Sequence, residues 1–153
     1  MYIVLHTGPD SLLDEILTAC DSHKVRFVEE GERIQKGIYV SRPRRHLVMN
    51  SKTIGVSQLN APKRGLWIPS IDELFESTAR SQRARSIGVI LSGTMHDGVA
   101  GLLAIRKAGG TTIAQKPEEA QSPEMPIAAL DANAVDYCLP IKGIAAKLSE
   151  LAG

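Results

Sequence analysis

From residue 86 onward the chain alternates between two periods, and this alternation constrains the fold more than any other feature. "SIGVILSG" (86–93) is a short β-branched apolar run, "VAGLLAIRKAGG" (99–110) spaces its apolar residues for a helix and ends on glycines, and "TTIAQ" (111–115) is β-branched again. The alternation continues through "PEMPIAALDAN" (123–133), "AVDYCLP" (134–140) and "IKGIAAKLSELAG" (141–153). Short continuous apolar strands suit burial on both faces. Strands that alternate with helices imply βαβ units and a mainly parallel sheet covered on both sides. The expected fold class is therefore α/β, with a mostly parallel, doubly wound sheet of Rossmann-like, three-layer architecture.

The first half fits the same class less regularly. "YIVLH" (2–6) reads as a buried parallel strand, and "SLLDEILTACDS" (11–22) as a helix capped by Asp10 or Ser11. "KVRFVE" (24–29) alternates as a strand does, and "GERIQKGIYVSR" (31–42) gives a turn and another strand. "HLVMNSKTIGVSQ" (46–58) predicts two short strands joined at 50–52, a small antiparallel hairpin. "NAPKRGLWIP" (60–69) reads as loop. "SIDELFESTARSQ" (70–82) is an amphipathic helix that opens on Ser70 with Glu73 three residues on, the pattern of a capping box.

At 153 residues the chain is expected to form one domain, 1–153. Its net charge of +1 argues against a nucleic-acid binder that works through a strongly basic face. No apolar run approaches the ~18 residues of a membrane span, so no membrane insertion is expected. Cys20 and Cys138 are too few for a disulfide framework, and both are expected as buried free thiols, which suits a reducing cytoplasm. No Gly-rich phosphate loop follows a strand, which weakens a nucleotide-binding reading.

Sites in open α/β sheets form beyond the carboxyl ends of the strands. Two loops stand there: "LHTGPD" (5–10), with His6, and "ILSGTMHDGVAG" (90–101), with His96 and Asp97 between Gly93 and Gly98. Asp97 has an ordinary reading as a helix N-cap, and His6 one as a hydrogen-bonded histidine at a strand end. Both also fall on the same predicted edge, where a His–Asp pair could form the orienting half of a hydrolytic triad. His96 reads as a solvated turn residue. His6, His46, His96 and Asp97 lack the spacing of a metal site, so no metal is expected. Arg42, Arg44 and Arg45 cluster in "SRPRRH" (41–46), either as a solvated loop or as a patch that attracts an acidic partner.

Several motifs, in order, resemble those of the CheB family of chemotaxis protein-glutamate methylesterases. "GVILSGTMHDGVAGLLAIRKAGGTTIAQ" resembles the family's strand, its G-M-G-x-D-G turn, its helix, its A-G-G and its T-x-A-Q. "LHTGPDSLLDEIL" resembles Q-H-M-P and the helix after it. "EEGERIQKGIYVSRPRRHL" resembles E-x-G-x-x-x-x-G-x-x-Y-x-A-P-x-x-x-H. "PSIDELFESTA" resembles P-S-V-D-x-L-F-x-S, and "EMPIAALDANAVDYCLPIKGIAAKL" resembles G-M-P-x-A-A through the closing helix.

The resemblance implies an ester hydrolase that uses water and no cofactor. In the family a serine attacks the methyl ester of a receptor glutamate, a histidine takes the serine's proton, and an aspartate orients the histidine. His6 matches the base and Asp97 the aspartate. The turn backbone at Thr94 and Met95 matches a source of oxyanion donors, and His46 a histidine near the site. Arg42, Arg44 and Arg45 then fall on a loop near the cleft, where they would meet the glutamate-rich helices of a methyl-accepting chemotaxis receptor or a similar methylated protein.

The departures are specific. The family's nucleophile lies in a G-A-S-T-G-G loop after a strand that precedes the histidine strand, and no serine here matches it. Ser11 reads as a cap and Ser92 as structural. The chain is thus expected to be truncated at its N-terminus relative to the family, without the nucleophile strand or the receiver domain, and to be inactive alone. "GMG" of the turn is "GTM" here, Ile68 replaces an arginine, and "RP" replaces "AP" before His46. A non-catalytic receptor-binding or adaptor domain is the alternative function. The Tyr2–His6 strand is expected either to present an exposed edge, which favours a homo-oligomer, or to close the sheet by pairing directly with the strand at 86–92.

Overall fold

The computed structural model describes residues 2–5, 25–41, 45–57 and 70–153. The expected helix over 11–22 and the loop over 60–69 lie outside the described residues. The chain divides into two compact units, Met1–Leu74 and Phe75–Gly153.

In the first unit β1 (Tyr2–Leu5) and β2 (Val25–Phe27) both pair in parallel with β4 (Gly37–Val40), which lies between them. All four β4 residues are buried, as expected for a central strand flanked on both edges. Tyr39 is fully buried, and its hydroxyl is satisfied: it accepts the Gln35 N–H at 2.7 Å and donates to the Gln35 carbonyl at 3.1 Å.

The expected hairpin is present. β5 (His46–Met49) pairs antiparallel with β6 (Thr53–Ser57), and the Asn50 N–H closes the turn on the Thr53 carbonyl at 2.8 Å. Leu47 and Met49 are buried and alternate with half-buried neighbours, the period of a one-sided sheet. A third strand, β3 (Glu32–Arg33), extends this sheet on the other edge of β6. Its two polar residues carry no apolar pattern, which is why "GERIQKGIYVSR" reads as one strand where it forms two.

Helix α1 (Ile71–Gln82) runs from the end of the first unit into the second. A single 3₁₀ turn, Arg83–Arg85, leads on to the parallel sheet β7 (Ile87–Ile90), β8 (Thr111–Gln115) and β9 (Tyr137–Leu139), with β8 central. From Thr112 to Gln115 β8 is buried throughout. Helix α2 (Val99–Lys107) packs on β7 and β8 through Leu102 and Ile105, both fully buried. Helix α3 (Glu124–Asp131) touches the same two strands and buries Pro126 and Ala129. Helix α4 (Ile141–Ala152) covers β8 and β9 and buries Ile144. This β–α–β–α–β–α order is the one expected from the alternating periods, and it carries the loop after β7 to the carboxyl edge of the sheet.

Asp136 fastens the sheet to α2. Its carboxylate accepts the Thr112 N–H and hydroxyl, both at 2.9 Å, and the Arg106 Nε–H at 2.8 Å. Burial works to raise this carboxyl's pKa. The Thr112 backbone and hydroxyl bonds, with the Arg106 guanidinium, outweigh it and hold the group below the usual carboxylate value. Cys138 on β9 is a free thiol, half-buried and not fully buried as expected.

Candidate functional site

The loop from Ser92 to Gly98 leaves the carboxyl end of β7 and enters α2. Gly98 occupies the helix N-cap position in a left-handed conformation, φ 101°. Asp97 therefore stands one residue before the cap position expected of it, and is half-buried. Thr94, Met95 and His96 are exposed, in keeping with His96 as a solvated turn residue.

Hydrogen bonds tie the start of this turn to its neighbours. The Ser92 N–H donates to the buried Gln115 side-chain oxygen at 2.8 Å, which gives the last residue of "TTIAQ" its role. The Gly93 N–H donates to the Ser122 carbonyl at 2.9 Å, and the Gly93 carbonyl accepts the Met125 N–H at 3.1 Å. The Ser122 N–H donates to the Ser92 hydroxyl at 2.9 Å, which assigns Ser92 the structural place expected of it. A Cβ at Gly93 would lie 2.2 Å from the Met125 sulfur, so a side chain there displaces the methionine.

Met95 departs from the glycine of the G-M-G-x-D-G pattern and takes a left-handed backbone, φ 71°. A side chain at such a φ costs roughly 1–2 kcal/mol. The Met95 N–H donates to the Glu124 carboxylate at 2.8 Å, a charge-assisted bond. Glu124 was not singled out from the sequence. Its signal was there in "EMP", where the family pattern has G-M-P.

The other described candidates belong to the first unit. His46 opens β5 with its side chain only 12% exposed. Its Nδ1 accepts the Ser70 N–H at 3.0 Å and lies 3.3 Å from a Glu73 carboxylate oxygen. The capping box therefore forms by half. The Glu73 N–H reaches the Ser70 hydroxyl at 3.4 Å, while His46 takes the Ser70 N–H that Glu73 would otherwise accept. Arg45, beside His46, is exposed. His6, Arg42 and Arg44 lie outside the described residues, as do Ser11 and Cys20.

Residues 1–148 match the model of the CheB methylesterase family. The chain belongs to the CheB methylesterase family. It is 37% identical over 150 residues to a Leptospira interrogans protein assigned as a protein-glutamate methylesterase/protein-glutamine glutaminase, covering 94% of this chain and 75% of that one. A protein-glutamate methylesterase/protein-glutamine glutaminase of Paramagnetospirillum magneticum is 34% identical over 137 residues, which are 90% of this chain and 39% of the relative. The solved catalytic domain of the Thermotoga maritima CheB methylesterase superposes with a TM-score of 0.88 at 27% identity, over 98% of this chain and 82% of that domain. The CheB-family fold thus accounts for the parallel sheets and the small antiparallel one together. No described helix is long and apolar enough to cross a membrane.

Proposed function

We propose that the chain is a methylesterase-type domain of chemotaxis signalling that takes methyl-esterified glutamyl side chains of a receptor as its ligand. The observation that carries this reading is the fixed turn after β7, which presents Asp97 at a strand's carboxyl end within a CheB-family chain. In the family's reaction the serine hydroxyl adds to the ester carbonyl as histidine takes its proton. Methanol leaves with a proton returned by the histidine, and water then releases the glutamate. His6 holds the place of that histidine and Asp97 that of the carboxylate that orients it. The relatives' double name adds glutamine amides, whose carbonyl passes through the same tetrahedral stage with ammonia as the leaving group. No serine among the 153 residues matches the nucleophile, so these residues by themselves are expected not to turn the ester over.

Arg42, Arg44 and Arg45 supply positive charge beside His46 for an acidic receptor helix. Calorimetric titration of a methylated receptor fragment into the 153-residue chain tests the recognition. Binding is expected to weaken as salt rises, because screening acts over ~8–10 Å at physiological ionic strength. It is expected to weaken again with Arg42→Gln, Arg44→Gln and Arg45→Gln combined. Absence of binding, or binding that ignores both changes, contradicts the proposal.

A second reading, a non-catalytic receptor-binding or adaptor domain, is favoured by one observation. The Met95 N–H, on the stretch that resemblance assigns to oxyanion donors, already bonds the chain's own Glu124.

A further inference from the structure

Two departures from the family's glycine pattern meet each other in this chain. Met95 stands where G-M-G-x-D-G has its second glycine, and Glu124 where G-M-P begins. They are 29 residues apart in sequence, yet the Met95 N–H lies 2.8 Å from a Glu124 carboxylate oxygen. Met95 also holds φ 71°, a region that glycine enters freely and other residues do not. Glu124 is the first residue of α3, where the helix dipole favours a carboxylate. On the Gly93 side of Met95 the turn is held by backbone bonds from Gly93 to Ser122 and Met125. At Met95 itself the bond is to a side chain.

We propose that Glu124 is a positioning residue: its carboxylate holds Met95 in the left-handed conformation, sets the path of residues 94–97, and keeps the Met95 amide occupied by the chain itself. This deepens the reading of the turn as the functional loop, on which it rests for its importance. A left-handed methionine is strained and persists only where its surroundings hold it there. The charge-assisted bond supplies that hold, as a missing side chain would at a glycine. The two replacements are therefore coupled. Met95 needs Glu124, and a glycine at 95 would not.

Amide NMR on the full 153-residue chain tests the coupling without any activity assay. A failed methylesterase reading therefore leaves the result standing, and the reverse also holds. In Glu124→Ala the Met95 amide proton is expected to move upfield and to exchange about 5–10-fold faster, the factor for one lost hydrogen bond. The Asp97 amide is expected to shift with it. The Gly93 and Met125 amides, bonded backbone to backbone, are expected to stay in place and so report an intact fold. In a Met95→Gly background the same Glu124 change is expected to leave Asp97 nearly unmoved. Glu124→Gln, which keeps an acceptor at the same reach, is expected to restore part of the wild-type Met95 shift. If Glu124→Ala does not fold, Glu124→Ser, whose side chain is too short to reach the Met95 amide, takes its place. An Asp97 amide indifferent to Glu124→Ala, or to Glu124→Ser where that variant replaces it, overturns the proposal. An Asp97 response of equal size in the Met95→Gly background overturns it as well.

Discussion

Gly93 shows how little room the turn after β7 leaves. Its N–H and carbonyl are both used by the 122–125 segment, and the Met125 sulfur fills the space a Cβ would take. Gly93→Ala must push the Met125 side chain aside, and because that side chain is flexible the loss is expected at about 1 kcal/mol, the low end for overpacking. Urea unfolding is expected to show that loss. His46 gives the complementary lesson at the same scale. The Ser70–Glu73 pattern is local, so a capping box can be read from spacing alone. The half that fails is lost to a residue 24 positions away from Ser70, which no local pattern reveals. The Met95–Glu124 bond is hidden for the same reason, although each residue is visible alone as a departure from glycine.

At the scale of elements, the β7–α2–β8–α3–β9–α4 run is legible because each piece obeys one period and is bounded by Gly or Pro. β3 is not legible, since two polar residues carry no period, and the N-cap falls on Gly98, one residue after Asp97, because glycine takes the positive φ there. Asp136 is the joint between α2, β8 and the lead into β9. Asp136→Asn removes a carboxylate that accepts three bonds and is expected to lower stability by about 1–2 kcal/mol, discounted for its partial exposure. The sign with pH follows from a depressed folded pKa. The contribution is full above the unfolded value of ~3.9 and is lost as pH falls through the lower folded value. Urea midpoints between neutral pH and pH ~3 are expected to fall less steeply for Asp136→Asn than for wild type. Equal slopes would remove Asp136 from the acid-sensitive part of the fold.

For the whole molecule, periodicity gives the α/β class, and only the ordered motifs point to the CheB family; composition and charge exclude other classes without naming this one. The central functional proposal is that His6 and Asp97 hold the places of the family's base and orienting carboxylate, and that no serine of the 153 residues holds the place of the nucleophile. Loss of a triad nucleophile costs about a millionfold in rate in subtilisin. The most direct test is methanol release from a methyl-esterified receptor fragment by the 153-residue chain, run beside His6→Ala. The expected result is the same background rate for both. A rate well above background that disappears in His6→Ala would contradict the claim and show that the chain carries a nucleophile of its own.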